Sequence, residues 1–198
     1  MKKTLFAVAM LLVAGNFNIS AQQAAPQAEK KFTVVKQNPI TPVRNQASTG
    51  TCWCFATVSF LESELLRKGY KGDLDLSEMF IVSHSYAEKV DKYVRMNGNM
   101  GFGQGSEGGD AITIIKEHGI VPESIMTGLN YGTDRHSNGE LASLVTSFAK
   151  TMATARSYTP VWKRGLKALI ANYLGEIPET FEYNGKTYTP ESYRDAIG

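Results

Sequence analysis

Cysteine is nearly absent from this chain: two residues in 198, both in one place, Cys52 and Cys54. That excludes a framework of structural disulfides. The pair cannot bridge itself on a helix either, because side chains two positions apart point roughly 200° away from each other. Cys-x-Cys is not the Cys-x-x-Cys of thioredoxin-like redox sites, which leaves thiol redox chemistry as the weakest of the functional readings. No further ligands stand near the pair at metal-binding spacing, so no metal is expected there. Histidine is almost as scarce, and after His136 there is none. A surplus of charge is also missing, with Lys and Arg at 21 against 19 acids. Without a basic stripe, nucleic acid is not an expected partner.

Long apolar runs are limited to one. Leu5 to Gly15 follow the basic Lys2 and Lys3, and Ile19-Ser20-Ala21 precede Gln22. This is the pattern of a cleaved signal peptide, residues 1–21, rather than of a membrane span, for which the run is too short. It predicts export from a bacterial cytoplasm to the periplasm or beyond, with no stable membrane anchor. Removing residues 1–21 takes away two lysines and no acid, so the remaining chain is electrically balanced. What is left suffices for one domain with a real core.

Residues 22–37 are rich in Gln, Ala and Lys and read as a flexible lead-in, with Phe32 to Val35 a short β-like run. Prolines 39 and 42 then enforce an extended course. A helix is expected from about Thr51 to Lys68, ended by Gly69. Its first half, Trp53 through Leu61, is apolar on nearly every side, the mark of a helix meant to be enclosed. Glu62, Glu64 and Arg67 are expected to return it to solvent. Ser77 caps a second helix that runs to about Met96. Asn97 to Gly109 holds six glycines in thirteen residues, either a plain connector or a backbone that comes close to a ligand. A third helix covers Asp110 to Glu117, with Ile112, Ile114 and Ile115 as its core face. Asn138 opens a fourth helix, and Thr159-Pro160 a fifth that runs to about Leu174. Asn184-Gly185 predicts a type I′ hairpin within 181–188, and Thr189-Pro190 starts a last helix.

The chemistry is concentrated between Asn45 and Ala56. A cysteine in the first turn of an apolar helix meets unpaired N–H groups and the positive end of the helix dipole, which favour a thiolate. Gln46, six residues earlier on the incoming loop, carries an amide that can donate to an oxyanion.

The stretch Thr41-Pro42-Val43-Arg44-Asn45-Gln46, followed by Cys52-Trp53 and Phe55-Ala56, resembles the active-site segment of papain-like cysteine peptidases. The resemblance implies Cys52 as nucleophile, Gln46 in the oxyanion hole, no cofactor, a peptide substrate, and Cys54 as inert packing. Thr49 stands where a disulfide cysteine occurs in ordinary members, and no long inhibitory segment precedes the motif. These departures, with Lys116 to Glu123 and Leu174 to Phe181, look like the bleomycin hydrolase and aminopeptidase C branch. In that branch the glycine-rich loop would line the substrate cleft, which implies Trp53, Gly105, Ser106, Gly108 and Gly109 as substrate-binding residues. The resemblance covers roughly residues 38–198, with part of a helical insertion at about 139–198. The fold it implies is α+β and predominantly helical: the helical half of the papain-like domain, its β-rich half missing.

That half matters, because in the papain arrangement the base is a histidine roughly 130–150 residues after the cysteine, and the chain has none there. His84 reads as a core or half-buried residue, His118 as a helix C-terminal residue, and His136 as solvated; none is expected to serve as base. Two functional readings follow. One is the N-terminal half of an exported aminopeptidase C-like peptidase, completed by a histidine outside these residues. The other is a non-catalytic peptidase-fold protein that binds peptide or a complementing C-terminal half. A homo-oligomer is compatible with either. In both, the wall side of the first helix would lie bare.

Overall fold

The computed structural model describes residues 32–198; the expected signal peptide lies outside them. Phe32 to Val35 form no strand and stand in solvent, Phe32 and Val35 almost fully. A compact unit begins at Gln37 and runs to Gly198. Among the described residues no helix is long and apolar enough to cross a membrane.

Six helices and one hairpin make up the unit: α1 (Cys52–Arg67), α2 (Glu78–Arg95), α3 (Gly108–His118), α4 (Gly139–Thr154), α5 (Val161–Leu174), β1 (Phe181–Tyr183), β2 (Lys186–Tyr188) and α6 (Pro190–Ile197). The boundaries follow local chemistry. Ser77 caps α2 by accepting from the Phe80 N–H, while its own hydroxyl donates to the Met126 carbonyl. Thr189 and Ser192 close a capping box on α6, with Pro190 in the first turn. Glu107 and Asp110 do the same for α3. Asn184 and Gly185 both have positive φ, as a type I′ turn requires, and β1 and β2 pair antiparallel with Phe181 opposite Tyr188.

The differences from expectation are local. α3 begins at Gly108, so Gly108 and Gly109 are helical and not part of the loop. Its buried side is Ala111 and Ile114; Ile112 is exposed because it lies 100° round the helix from Ala111. α5 starts at Val161, with Pro160 and not Thr159 as the flanking residue. Asn138 precedes α4 but makes no side-chain cap: it is buried, and its amide faces the Met79 sulfur at 3.9 Å.

The core lies along α2. Met79, Phe80, Ile81, Val82, Tyr86, Val90 and Val94 pack against Leu141, Val145 and Ala149 of α4, and Leu166, Ile170 and Leu174 of α5. α1 covers another side with Trp53, Cys54, Phe55 and Val58. Its opposite side is bare: Cys52, Ala56 and Ser59 are exposed, and so is 59% of Phe60. These positions recur at helical spacing, so they form one stripe that begins at the thiol. The bare wall side expected from the sequence is therefore present.

Glu62 reverses its expectation. It is 2% exposed. Thr41 donates to Oε2 at 2.5 Å and the Leu76 backbone N–H to Oε1 at 2.8 Å, so one side chain ties the incoming segment to the α1–α2 connection. A carboxyl that is this well served can be buried where an isolated one cannot.

Candidate active site

The loop Asn45 to Thr51 delivers Cys52, and its own hydrogen bonds shape it. Asn45 accepts from the Ala47 N–H at 2.9 Å, an Asx turn that holds Ala47 in the left-handed region at φ 49°. Gln46 Nε2 donates to the Thr49 carbonyl at 2.8 Å, and Thr49 Oγ1 donates back to the Gln46 carbonyl at 3.0 Å. The second Gln46 N–H is left for another acceptor. Thr51 precedes α1 without a side-chain cap, its hydroxyl turned to Thr49 at 2.5 Å. The first-turn N–H groups of α1, those of Cys52 and Trp53, thus have no capping side chain on them and no intrahelical acceptor. They are the donors an oxyanion beside Cys52 would meet.

The two cysteines have opposite surroundings. Cys52 is exposed and Cys54 is fully buried. Burial, and after it the nearby Glu78 carboxyl, push the Cys54 thiol well above its ordinary range, and its sulfur faces the Glu78 carbonyl at 3.4 Å. A thiol that is neutral and enclosed does not react. With excess iodoacetamide at neutral pH, the folded chain should therefore gain one adduct, on Cys52. Peptide mapping should find Cys54 modified only after unfolding.

Two neighbours clamp the thiol loop. On one side the glycine-rich segment docks through Gln104: its Oε1 accepts from the Gly50 N–H and its carbonyl accepts from the Trp53 indole N–H, each at 3.1 Å. A side chain at Gly50 would place its Cβ 2.9 Å from the Gln104 Cβ, so glycine is what lets the two segments touch. On the other side Ser48 bridges to Ser137. The Ser48 N–H donates to the His136 carbonyl at 3.1 Å, and the Asn138 N–H to the Ser48 carbonyl at 3.3 Å. His136 is not the solvated residue expected; its ring meets the Phe55 edge at 5.9 Å and burial lowers its pKa. The loop around it folds back onto the thiol segment, a long-range contact that no local pattern marks.

The five residues implied to bind substrate are scattered across roles. Trp53 is buried under the loop, with Lys89 Nζ 5.6 Å from its ring centroid. Gly105 is exposed and accepts from Lys89 Nζ at 2.6 Å. Ser106 donates to Asp110 within the α3 cap. The Gly108 Cα lies against Thr57, where a Cβ would come within 2.9 Å of Oγ1, and Gly109 is exposed on the first turn of α3. Gln104, which makes the docking contacts, was not foreseen. Its signal was available as the one long polar side chain between Gly101 and Gly105.

The sequence matches the family model described as papain family cysteine protease over residues 28–194. The chain belongs to that family. Among curated relatives, the mitochondrial cysteine proteinase 1 of Saccharomyces cerevisiae is 25% identical over 147 residues, which are 65% of this chain and 30% of that protein. Cysteine proteinase 2 of Entamoeba histolytica is 35% identical over 100 residues, 50% of this chain and 29% of that protein. The chain thus spans about a third of the length of the relatives it matches. A solved structure described as PepW from Lactobacillus rhamnosis HN001 superimposes with a TM-score of 0.54 at 21% identity, and covers 78% of this chain and 43% of that one. This likeness is one of fold. As a papain-family segment, the chain presents its motif cysteine exposed at the start of α1, with Gln46 on the loop before it.

Proposed function

We propose that the chain is the nucleophile-bearing half of an exported cysteine peptidase of the aminopeptidase C kind. The observation that carries the reading is Cys52, exposed at an uncapped helix N-terminus and preceded by a loop that presents Gln46. The bare stripe from Cys52 to Phe60 supports a second half seated there, with the histidine the mechanism needs. The three histidines of this chain support the same view: His118 is paired with Glu88, His84 is stacked on His118, and His136 is packed on Phe55.

In this reading the histidine of the second half takes the Cys52 thiol proton. The sulfur attacks the peptide carbonyl, and the oxyanion accepts from the Cys52 N–H and the free Gln46 N–H. The tetrahedral adduct collapses with cleavage of the C–N bond, and the histidine passes its proton to the leaving amine. Water then displaces the sulfur from the acyl-enzyme and restores the thiol. Residues 1–21 support export, and the bleomycin hydrolase-like stretches support removal of residues from the amino end of peptides.

The test is turnover of aminoacyl-amide substrates by the protein as purified from its own cells. Cys52→Ala should lower kcat/KM by roughly 10⁴-fold or more, whereas Cys54→Ala should leave it within an order of magnitude. Full activity in Cys52→Ala sinks the proposal. Cys52 labelling without turnover would favour the second reading, a peptidase-fold chain that binds peptide but does not cleave it.

A further inference from the structure

Two histidines with no part in the proposed chemistry come together between α2 and α3. His84 and Glu88 are one turn apart on α2 and share a face, and His118 is the last residue of α3. The rings of His84 and His118 stack with centroids 4.0 Å apart and planes 15° from parallel. His118 Nε2 lies 2.7 Å from Glu88 Oε1. One ligand atom from each of the three residues lies within 4.8 Å of the other two.

His84 supplies a second, independent sign. Its Nε2 is sealed from solvent and has no hydrogen-bond partner among the described residues. A buried polar atom left without a partner is destabilising and calls for one. All three residues line one solvent-open groove of about 650 Å³, which provides an entry path. No residue of the thiol loop lines that groove.

We propose that His84, Glu88 and His118 form a binding site for a divalent transition-metal cation of the zinc type. Two imidazole nitrogens and one carboxylate oxygen suit zinc, with water as the fourth ligand. Tetrahedral ligands about 2.0–2.1 Å from zinc sit roughly 3.4 Å apart. The Glu88–His118 pair, at 2.7 Å, has to open to that spacing, and His84, within 4.8 Å of both, has to close by no more than about 1.4 Å. A bound metal lies in the plane of each ring, so the stacked imidazoles tilt toward each other on binding. Lys92, Arg95, Lys163 and Lys167 line the groove and oppose a cation, but Asp91 pairs with Lys163 at 2.5 Å and with Arg95 at 3.0 Å, and Glu117 adds a further acid. The sequence alone gives no hint of the site, because 34 positions separate His84 from His118 and the ligands come from two helices.

The test is zinc binding by the full chain, followed by equilibrium dialysis with metal analysis, and by visible absorption after cobalt(II) substitution. One zinc per chain is expected, with the d–d bands of four-coordinate cobalt. Glu88→Gln and His118→Gln should each weaken binding by about 100-fold or more, since loss of a mere supporting partner already costs 10–100-fold. Both variants should keep the far-ultraviolet circular dichroism and the Cys52 labelling of the parent, which shows that the fold and the thiol site are intact. Absence of stoichiometric zinc in the parent overturns the site. So does zinc that either variant retains with parental affinity, as binding through Cys52 would give. In that case the three side chains are a helix–helix contact, with His118 hydrogen-bonded to Glu88.

Discussion

Folding stability should fall as pH rises from about 5 to about 9, and Glu78→Gln or Glu123→Gln should flatten the fall. Four carboxyls converge where α1, α2 and the segment after α3 meet: Glu62, Asp75, Glu78 and Glu123, with Arg44 paired to Asp75 at 2.6 Å. Burial is the first cause of the raised pKa at each of the four. Glu78 is pushed from 4.5 up to about 7, with added repulsion from Glu62 and Asp75. Glu123 is pushed to about 9 by burial and then by Glu78, and its Oε2 has no partner among the described residues.

The sign follows from proton counts. A carboxyl whose pKa is raised by folding holds its proton in the native state at pH values where the unfolded chain has lost it. The contribution is fully present below pH 4.5 and is lost as pH climbs through the folded value. For Glu78 that loss is on the order of 3 kcal/mol between pH 4.5 and 7. Glu123 extends it to about pH 9. His84 and His136, with lowered pKa values, act the opposite way, but only below their ordinary value of 6.5. Urea denaturation at pH 5, 7 and 9 reads the slope directly; a parent chain equally stable at pH 5 and pH 9 would refute the assignment.

Gly119→Ala should cost about 4 kcal/mol, a large share of the stability of a domain this size. Gly119 ends α3 at φ 80°, a region that side chains rarely enter. A Cβ there would lie 2.1 Å from the Pro190 carbonyl carbon and 2.3 Å from the Glu191 nitrogen, both backbone atoms that cannot step aside. The same junction carries the Ile120 N–H bond to the Pro190 carbonyl, and Arg194 donates to the Ile115 and Lys116 carbonyls at the end of α3. Gly69→Ala is the control: φ is 98° but nothing lies within 4 Å, so only the backbone term of about 1–2 kcal/mol applies. Equal denaturation midpoints for the two variants would mean that the α3–α6 contact is not the constraint.

Much of the helical half was legible because its signals are local. Ser77, Gly69, Thr189-Pro190 and Asn184-Gly185 act within one turn of themselves, through caps and through φ values that only certain residues adopt. The thiol motif was legible for the same reason: Gln46 and Cys52 are joined by six residues of one loop. Ile112 was misjudged because three isoleucines in four residues cannot all face one side of a helix. Glu62 was misjudged because its partners, Thr41 and Leu76, lie 21 and 14 positions away.

By itself, then, the sequence determined the helices, the hairpin and the papain-like thiol segment, in which Cys52 is exposed and Cys54 is buried. Each of these depends on residues close in the chain, where propensity, capping and turn geometry act without help. Tertiary structure alone decided that Gln104 and the His136–Asn138 segment clamp the thiol loop, that four acids converge, and that His84, Glu88 and His118 converge. Those arrangements arise when α2 gathers α1, α3, α4 and α5 around its apolar face. Which polar groups the collapse brings together depends on the relative rotation of whole helices, and single-residue patterns do not encode it.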